Sequence, residues 1–598
     1  MQRGVFTRRA VLLGGAQLAV FAALVGRLYD VQVLEHRHYR KRAQANAIAQ
    51  RPLAAQRGLI VDRAGTLLAG NHQQWRALFL MTDVHDPQAV LARFARLVPL
   101  SALERARVVR ALAGPVRYVP LLLKHDLDWH AMARLEVHRP QLPGVIIDRG
   151  FSRFYPLGRQ AAHLVGTVVR PRPAQVKRDP VLALPGARVG GAGIEQAYDH
   201  VLQGEPGVIE SEVDELGSVV RVLDDDAGHP GATVQLTLDA DLQRASVASM
   251  RGRPGATVLL DIASGGVLAM ASAPSFDPAW FEQGVPDAVW SRWMHDPERP
   301  LINRATQGLY APGSSFKPTV ALAALRCGAI TATTRFYCPG HLKIGNRMFY
   351  CWLRSGHGWL DAAGALQQSC DVFYYHVAMR IGIDRMASMG RQLGLTGVAP
   401  IDFPDVAAGF LPDHAWARAR RITWTRGDTA VQGIGQGYTV FTPLNLVTMI
   451  ARVGSGRMIE PHLVRAIGGK PVRRPEPVPL DLSDRYLAVV RQGLDEVVNT
   501  PLGTSWGGRL IMQGGVRMAG KTGTAQVINE NAAMEAANYN DAKLPWKYRP
   551  NALFIGYAPL DQPRFAIAVV IEHGTLLGPV KVARDVLHAA LLQNLAVG

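Results

Sequence analysis

Tyr310-Ala311-Pro312-Gly313-Ser314-Ser315-Phe316-Lys317-Pro318-Thr319-Val320 is the stretch on which the reading of this chain turns. Pro312 and Gly313 are turn residues, and the apolar run from Val320 to Ala329 is helix-prone. Ser314 is therefore expected at or just before a helix N-terminus, where unpaired N–H groups and the positive dipole end favour developing negative charge. Lys317 follows three residues later on the same helix face, and Pro318 is tolerated because it falls in the first turn. A serine hydroxyl needs a neighbouring base to act as a nucleophile. Lysine can be that base only when burial or another cation lowers its pKa well below the usual ~10.4. Ser-x-x-Lys is thus a minimal nucleophile–base pair, though any helix start can carry it by chance.

Two further motifs follow in order. Ser369-Cys370-Asp371 stands between Leu366 and the aromatic run Phe373-Tyr374-Tyr375. Lys521-Thr522-Gly523-Thr524 lies in a Gly-flanked, strand-like segment from Val516 to Val527. Ser-x-x-Lys, a Ser-led middle motif and Lys-Thr-Gly are together the signature of serine acyl-enzymes that recognise penicillin. The middle motif here is Ser-x-Asp, a departure from Ser-Asp-Asn. Three ordered motifs are far harder to obtain by accident than one.

At 598 residues the chain is too long for one core, so two or three domains are expected. An apolar content of 48% with 59 Gly and 38 Pro is globular and turn-rich rather than disordered. The net charge of +18 points to anionic surroundings. No zinc-finger pattern, RNP pattern or long Lys/Arg run supports nucleic acid, and an anionic membrane surface or envelope polymer fits better. Only 4 cysteines occur, all between Cys327 and Cys370, which is not a disulfide-stapled scaffold.

Arg8-Arg9 precedes an apolar run from Ala10 to Gly26, broken only by Gln17. Leu28, Tyr29, Val31 and Val33 extend it, so residues 10–33 are expected to form an uncleaved membrane anchor behind a cytoplasmic tail, 1–9. A cleaved signal peptide is the alternative, but no Ala-x-Ala site follows the run. Arg27, Arg37, Arg40, Lys41 and Arg42 lie after the anchor, so a literal positive-inside count argues for a cytoplasmic C-terminal part. Residues 34–230 carry no catalytic motif. They hold a strand and turn at Arg57 to Gly65, helices at Pro87–Leu97 and Ala102–Leu112, and two marked stretches, Arg153-Phe154-Tyr155-Pro156 and Gly193-Ile194-Glu195. A Gly/Pro-rich linker, Asp226 to Ala232, leads into the second domain, 231–598. There a strand at Thr233 to Leu238 and a helix from Asp241 precede a buried hairpin, Ala256 to Asp261 with Gly266 to Ser272. A helical middle, Pro318 to Leu393, leads to strands at Ala552 to Tyr557 and Phe565 to Ile571 and a closing helix from Val580. Strands at both ends with helices between predict an α+β fold, one antiparallel sheet covered by helices.

With these motifs in place the chain resembles the class B penicillin-binding proteins, most closely the elongation-specific type called penicillin-binding protein 2. The marks are Arg57-Gly58-x-Ile60-x-Asp62-Arg63, Arg153-x-Tyr155-Pro156, Gly193-Ile194-Glu195 and the three catalytic motifs, so the likeness spans essentially the whole chain. It implies a single anchor in the bacterial inner membrane, an elongated noncatalytic pedestal and a periplasmic D,D-transpeptidase domain, which settles the orientation against the charge count. It also implies that Ser314 attacks the penultimate D-Ala of a peptidoglycan stem peptide, with Lys317 as its base. Ser369 would relay the proton and Asp371 would fix the network. Lys521 would help hold Lys317 neutral and attract the substrate carboxylate, with Thr522, Gly523 and Thr524 binding substrate. The amides of Ser314 and Thr524 would form the oxyanion hole. β-Lactams would acylate the same serine. Implied partners are a SEDS-family glycosyltransferase and other elongation proteins, with no nucleic acid.

Gly523 is expected to be small so that its strand lies close to the substrate backbone. Cys338, Cys351, His357 and Cys370 supply three thiolates and an imidazole, a set that suits tetrahedral zinc. The resemblance supports that reading, since some elongation-class relatives carry zinc in this segment. A Cys338–Cys351 disulfide with a buried Cys370 thiol is the alternative. Cys327 reads as core. The rival functions are a carboxypeptidase or β-lactamase of the same fold, a septal transpeptidase, and a scaffold that mainly activates a glycosyltransferase.

Overall fold

The computed structural model describes residues 4–30, 48–81, 84–112, 120–213, 219–512, 514–526 and 544–595. A helix, Gly4–Tyr29, opens the chain, and its Val11–Tyr29 portion has a mean hydropathy of 1.8 with none of its surface buried by the rest of the protein. Val31, Val33 and the basic residues Arg37 to Arg42 lie outside the described residues.

The second half is built on a five-stranded antiparallel sheet in the order Val267–Ala273, Gly255–Asp261, Phe565–Ile571, Asn551–Ala558, Ala519–Ala525. Strand side chains alternate between faces. Ala256, Val258 and Leu260 therefore join one core with the helix Pro443–Ser455, while Leu259 joins another with the closing helix Leu577–Leu595. Both faces are covered, as an apolar, glycine- and alanine-rich sheet requires. Ala519–Ala525 is an edge strand, paired only with Asn551–Ala558.

The expected helical middle is interrupted. Helices Lys317–Arg326 and Asp371–Gln392 are present, but between them Phe336–Cys338 pairs with Gly358–Leu360 and His341–Ile344 with Arg347–Tyr350. Gly340, Gly345, Gly356 and Gly358 all have positive φ, which ends helical continuity and turns this stretch into two small ladders. The helices expected at Pro87–Leu97 and Ala102–Leu112 are found with those bounds.

The pedestal motifs converge on one carboxylate. Glu195 is fully buried, with Oε2 at 2.6 Å from Arg57 Nε and Oε1 at 2.6 Å from Arg153 Nε. Arg57 also meets Asp199 at 2.8 Å, and Arg153 donates to the Gly58 carbonyl at 2.8 Å. Three stretches far apart in sequence are thereby bolted together.

The linker at Asp226 to Ala232 divides the motifs but not the sheet. Val234–Leu236 pairs in parallel with Ile60–Val61 of the pedestal on one side and antiparallel with Val464–Ile467 on the other. Asp62 Oδ2 accepts the Ala240 N–H at the start of the helix Ala240–Met250, at 3.1 Å. Tyr198 of the pedestal donates to Asp402, whose carboxylate also takes the Leu463 and Val464 amides. The two domains share one folded seam.

Removing one partner of a buried ion network leaves the others uncompensated, at a cost of ~3–5 kcal/mol. Glu195→Leu strands two buried guanidiniums, so denaturant unfolding should show a loss of that size in the pedestal. A loss below ~1 kcal/mol would mean that Asp199 and the backbone carbonyls suffice to hold the arginines.

Candidate active site

Ser314 lies in a short 3-10 turn, Gly313–Phe316, that runs directly into the helix Lys317–Arg326. The turn requires Gly313, whose φ is +52° and whose Cβ, if present, would stand 2.3 Å from the Thr524 carbonyl oxygen. Ser314 and Ser315 differ sharply. Ser315 is fully buried and its hydroxyl donates to the Pro312 carbonyl at 2.7 Å, whereas Ser314 is partly open to solvent.

Lys317 is fully buried. Its ammonium meets Asp371 Oδ1 at 2.8 Å, the Ser369 carbonyl at 2.8 Å and Ser369 Oγ at 3.2 Å. Ser369 sits at φ +53°, a left-handed conformation that a serine adopts only when its surroundings impose it. That twist turns both its carbonyl and its hydroxyl onto the lysine. Asp371 opens the helix Asp371–Gln392, and its second oxygen accepts the Trp352 N–H at 3.0 Å. The lysine of Ser-x-x-Lys is thus hydrogen-bonded to both named residues of Ser-x-Asp.

The third motif closes the site from the edge strand. Lys521 is fully buried, and its amine donates to the Thr522 carbonyl at 3.2 Å. Burial first, and then the charge of Lys317, push its pKa well below the usual lysine range, with Asp371 pulling the other way. Lys317 is ion-paired with Asp371. Thr522 is almost fully buried and shares a 2.8 Å hydrogen bond with Thr504. Gln436 Nε2 donates to the Thr524 carbonyl at 3.1 Å, and Gly313 N–H to the Gly435 carbonyl at 2.9 Å, which fixes strand and serine turn against each other. Gly523 is crowded by the protein's own backbone. A Cβ there would lie 2.5 Å from the Pro312 carbonyl oxygen, just ahead of Ser314.

Cys338, Cys351, His357 and Cys370 come together beside Ser369, with their donor atoms all within 4.8 Å of one another. His357 Nδ1 stands 3.6 Å from Cys338 Sγ and 3.5 Å from Cys351 Sγ. The edge of a tetrahedron with zinc–sulfur and zinc–nitrogen bonds of ordinary length is roughly 3.6 Å. All four cysteines of the chain are free thiols here. The Cys351 thiol is pushed down to about 3, chiefly by a hydrogen bond from Cys370, with His357 and the Asp371 and Val372 amides adding to it against burial. The cluster fits a metal that prefers thiolate and imidazole.

Trp352, Thr504 and Gln436 carry no motif. Only Trp352 had a signal, its place next to Cys351.

The serine turn lies against the edge strand that carries Lys521, and the chain matches the family described as penicillin binding protein transpeptidase domain over residues 255–592. The chain belongs to the penicillin-binding protein transpeptidases. Residues 52–236 match the penicillin-binding protein dimerisation domain. The peptidoglycan D,D-transpeptidase MrdA of Salmonella typhimurium is 35% identical over 95% of this chain and 93% of its own length. Penicillin-binding protein 2 of Helicobacter pylori, solved in complex with MreC, superposes with a TM-score of 0.78 at 26% identity, over 91% of this chain and all of that one. A solved peptidoglycan synthase complex that coordinates polymerisation and crosslinking contains a chain 30% identical, with a TM-score of 0.70 over 97% of this chain and 98% of that one.

Gly523→Ala should leave the fold standing while displacing the edge strand from the serine turn. Shifts of this kind cost ~100-fold in rate. Stopped-flow acylation by a penicillin at unchanged thermal stability would show it. Wild-type acylation would mean that the Pro312 carbonyl yields easily.

Proposed function

We propose that this chain is a peptidoglycan D,D-transpeptidase of cell elongation. It would be held by one helix in the inner membrane, with its catalytic domain on the periplasmic side. The observation that carries the reading is the fully buried Lys317 side-chain nitrogen, held by Asp371 and Ser369 one helical turn from a partly open Ser314. The MrdA likeness over nearly the full length of both chains favours the elongation role over a septal one, and over a β-lactamase or a scaffold.

In this reading Lys317, in its neutral form, takes the Ser314 proton as Oγ attacks the penultimate D-Ala carbonyl carbon. The oxyanion would be met by the Ser314 and Thr524 amides, each such donor being worth ~100 to 1,000-fold. The bond to the terminal D-Ala nitrogen breaks, and that amine leaves with a proton relayed through Ser369. The amine of a second stem then attacks the ester, forming the cross-link and returning the proton to Ser314. Lys521 attracts the terminal carboxylate, and Thr522 and Thr524 bind the peptide. β-Lactams would stop at the ester. Base action needs Lys317 to give up a proton, and both Asp371 and the neighbouring Lys521 are placed to govern that step. The pedestal is the natural seat for partners, namely a SEDS-family glycosyltransferase and elongation proteins, in line with the complexes formed by its structural relatives.

Zinc held by Cys338, Cys351, His357 and Cys370 would be structural, since three thiolates and one imidazole leave no open position. Its effect on catalysis would run through Cys370, between Ser369 and Asp371, and through Cys351, next to the Trp352 amide that binds Asp371.

Intact-mass spectrometry after penicillin treatment should show one adduct, absent in Ser314→Ala and retained in Ser315→Ala. Lys317→Arg should not be acylated, because a guanidinium stays protonated. An adduct on Ser315 or Ser369, or brisk acylation of Lys317→Arg, would remove the proposed roles.

Elemental analysis of protein purified without a tag or chelator should find about one zinc per chain, and stripping it should lower the melting temperature and slow acylation. A metal-free protein with a Cys338–Cys351 disulfide in a nonreducing peptide map would replace zinc with a covalent staple.

A further inference from the structure

The loop that ties the edge strand to the serine turn also leads away from the serine. Gly435 accepts the Gly313 N–H, and Gln436 donates to the Thr524 carbonyl. Two residues on comes Tyr438, whose Cα can lie no more than about 8 Å from that of Gln436. Tyr438 is 44% exposed although its ring packs on two indoles, with centroids 5.1 Å from Trp416 and 6.2 Å from Trp424. Trp424 is itself fixed, because its indole N–H donates to Thr429 Oγ1 at 2.8 Å. A tyrosine braced in this way has little freedom left to lose on binding, and it still offers open ring surface.

The same segment is strongly basic. From His414 to Tyr438 it carries Arg418, Arg420, Arg421 and Arg426 against a single acid, Asp428. All four arginines are exposed. The carboxylates around them are already engaged. Asp428 accepts the Thr425 amide at 2.8 Å and the Thr425 hydroxyl at 2.7 Å. Asp413 caps the Trp416 N–H at 2.8 Å and lies 3.6 Å from Arg391. Asp384 meets the amide and the ring of His414, each at 2.8 Å. Among the described residues, none of the four arginines forms an ion pair. Arg420 lies over the Trp416 ring, 5.0 Å from its centroid. Arg421 stands at φ +56°, just past the helix His414–Ala419, where glycine or asparagine would fit at less cost. The strain is accepted and a further cation is placed beside the aromatic group.

An open aromatic ring next to unpaired guanidiniums suits an acidic glycopeptide. The apolar C–H face of a sugar packs on the ring, and guanidinium matches the two oxygens of a carboxylate. Continuity with the serine turn says which glycopeptide that is. A stem peptide whose end reaches Ser314 hangs from a longer strand, and that strand has to leave the site over a neighbouring surface. We propose that Tyr438, Arg418, Arg420 and Arg421 form a docking surface for the peptidoglycan strand that carries the reacting stem. The proposal rests on the transpeptidase reading above. Tyr438 takes a sugar face, and the arginines take carboxylates of the stems next along the strand. A penicillin mimics only the stem terminus, so it reacts with the serine without reaching this surface.

The test uses the full-length chain in detergent, with Ser314→Ala so that strands bind without being consumed. Fluorescence anisotropy compares a labelled, uncross-linked peptidoglycan strand bearing pentapeptide stems with the free pentapeptide. The strand should bind roughly tenfold more tightly, because a second contact adds to the one at the serine. Adding Arg420→Gln with Arg421→Gln, or Tyr438→Ala, should weaken strand binding roughly three- to tenfold and leave the free pentapeptide unchanged. With Ser314 restored, the same variants should keep the melting temperature and be acylated by fluorescent penicillin at about the wild-type rate. Equal affinity for strand and free pentapeptide, or strand binding kept by both variants, overturns the proposal. So does competition by polyglutamate as strong per carboxylate as by unlabelled strand, which would leave only general attraction to polyanions. A joint fall in strand binding, melting temperature and acylation also overturns it, because these residues would then be supports of the Gln436 loop. Failure of wild type to react with penicillin would strike the transpeptidase reading instead, and the strand comparison would still decide the surface by itself.

Discussion

A buried ammonium is the constraint on which the catalytic half is built. Moving an ion of that size out of water costs several kcal/mol even after relaxation, and only close, well-aligned partners offset it. Lys317 obtains three contacts, and all come from the two residues that flank Cys370. Ser369 must adopt a left-handed backbone to offer two of them. Asp371 must sit at a helix start and is steadied by the Trp352 amide. The cysteine–histidine cluster lies where it can hold both in place. Residues scattered over a separation of 54 positions serve one buried side chain.

The pedestal solves the opposite problem with the same physics. There a single carboxylate, Glu195, is surrounded by arginines, and its burial is tolerable because Arg57 and Arg153 approach it from two sides. The catalytic cluster keeps a lysine, whose side chain can exchange a proton. The pedestal cluster keeps ions that never should, because guanidinium does not titrate in this range. Lysine in one place and arginine in the other is the choice each task demands.

Much of this was legible in the sequence. Ser314, Lys317, Ser369, Asp371 and Lys521 could be read because their spacing is local and tied to helix starts and a strand. The hairpin declared itself through runs of small and branched apolar residues, and the third-motif strand through its Gly-flanked Lys-Thr-Gly. What escaped were contacts closed by tertiary approach. Thr504 meets Thr522, and Gln436 meets the Thr524 carbonyl, across gaps in sequence that no periodicity spans. The small ladders between Phe336 and Leu360 were hidden inside a helical-looking stretch because their glycines act through φ rather than through pattern. Gly523 was rightly expected to be small, but the backbone that crowds it could not be named without the fold. Three pedestal motifs were visible as marks, yet only the folded chain shows them sharing Glu195.

The seam at Val234–Leu236 bears on how such a chain can be altered over evolutionary time. Its middle strand ends the stretch that matches the dimerisation domain, with one neighbour in the pedestal and the other in a hairpin more than two hundred residues later. Exchange of a pedestal between relatives cannot be a simple cut at the Gly/Pro-rich segment. A recombinant that imports residues up to Gly231 also inherits Ile60, Val61 and Asp62, and these must match Val234–Leu236, the Ala240 amide and, through them, Val464–Ile467. The two halves are obliged to diverge together, and a hybrid would succeed only where three short segments from distant parts of the chain already agree.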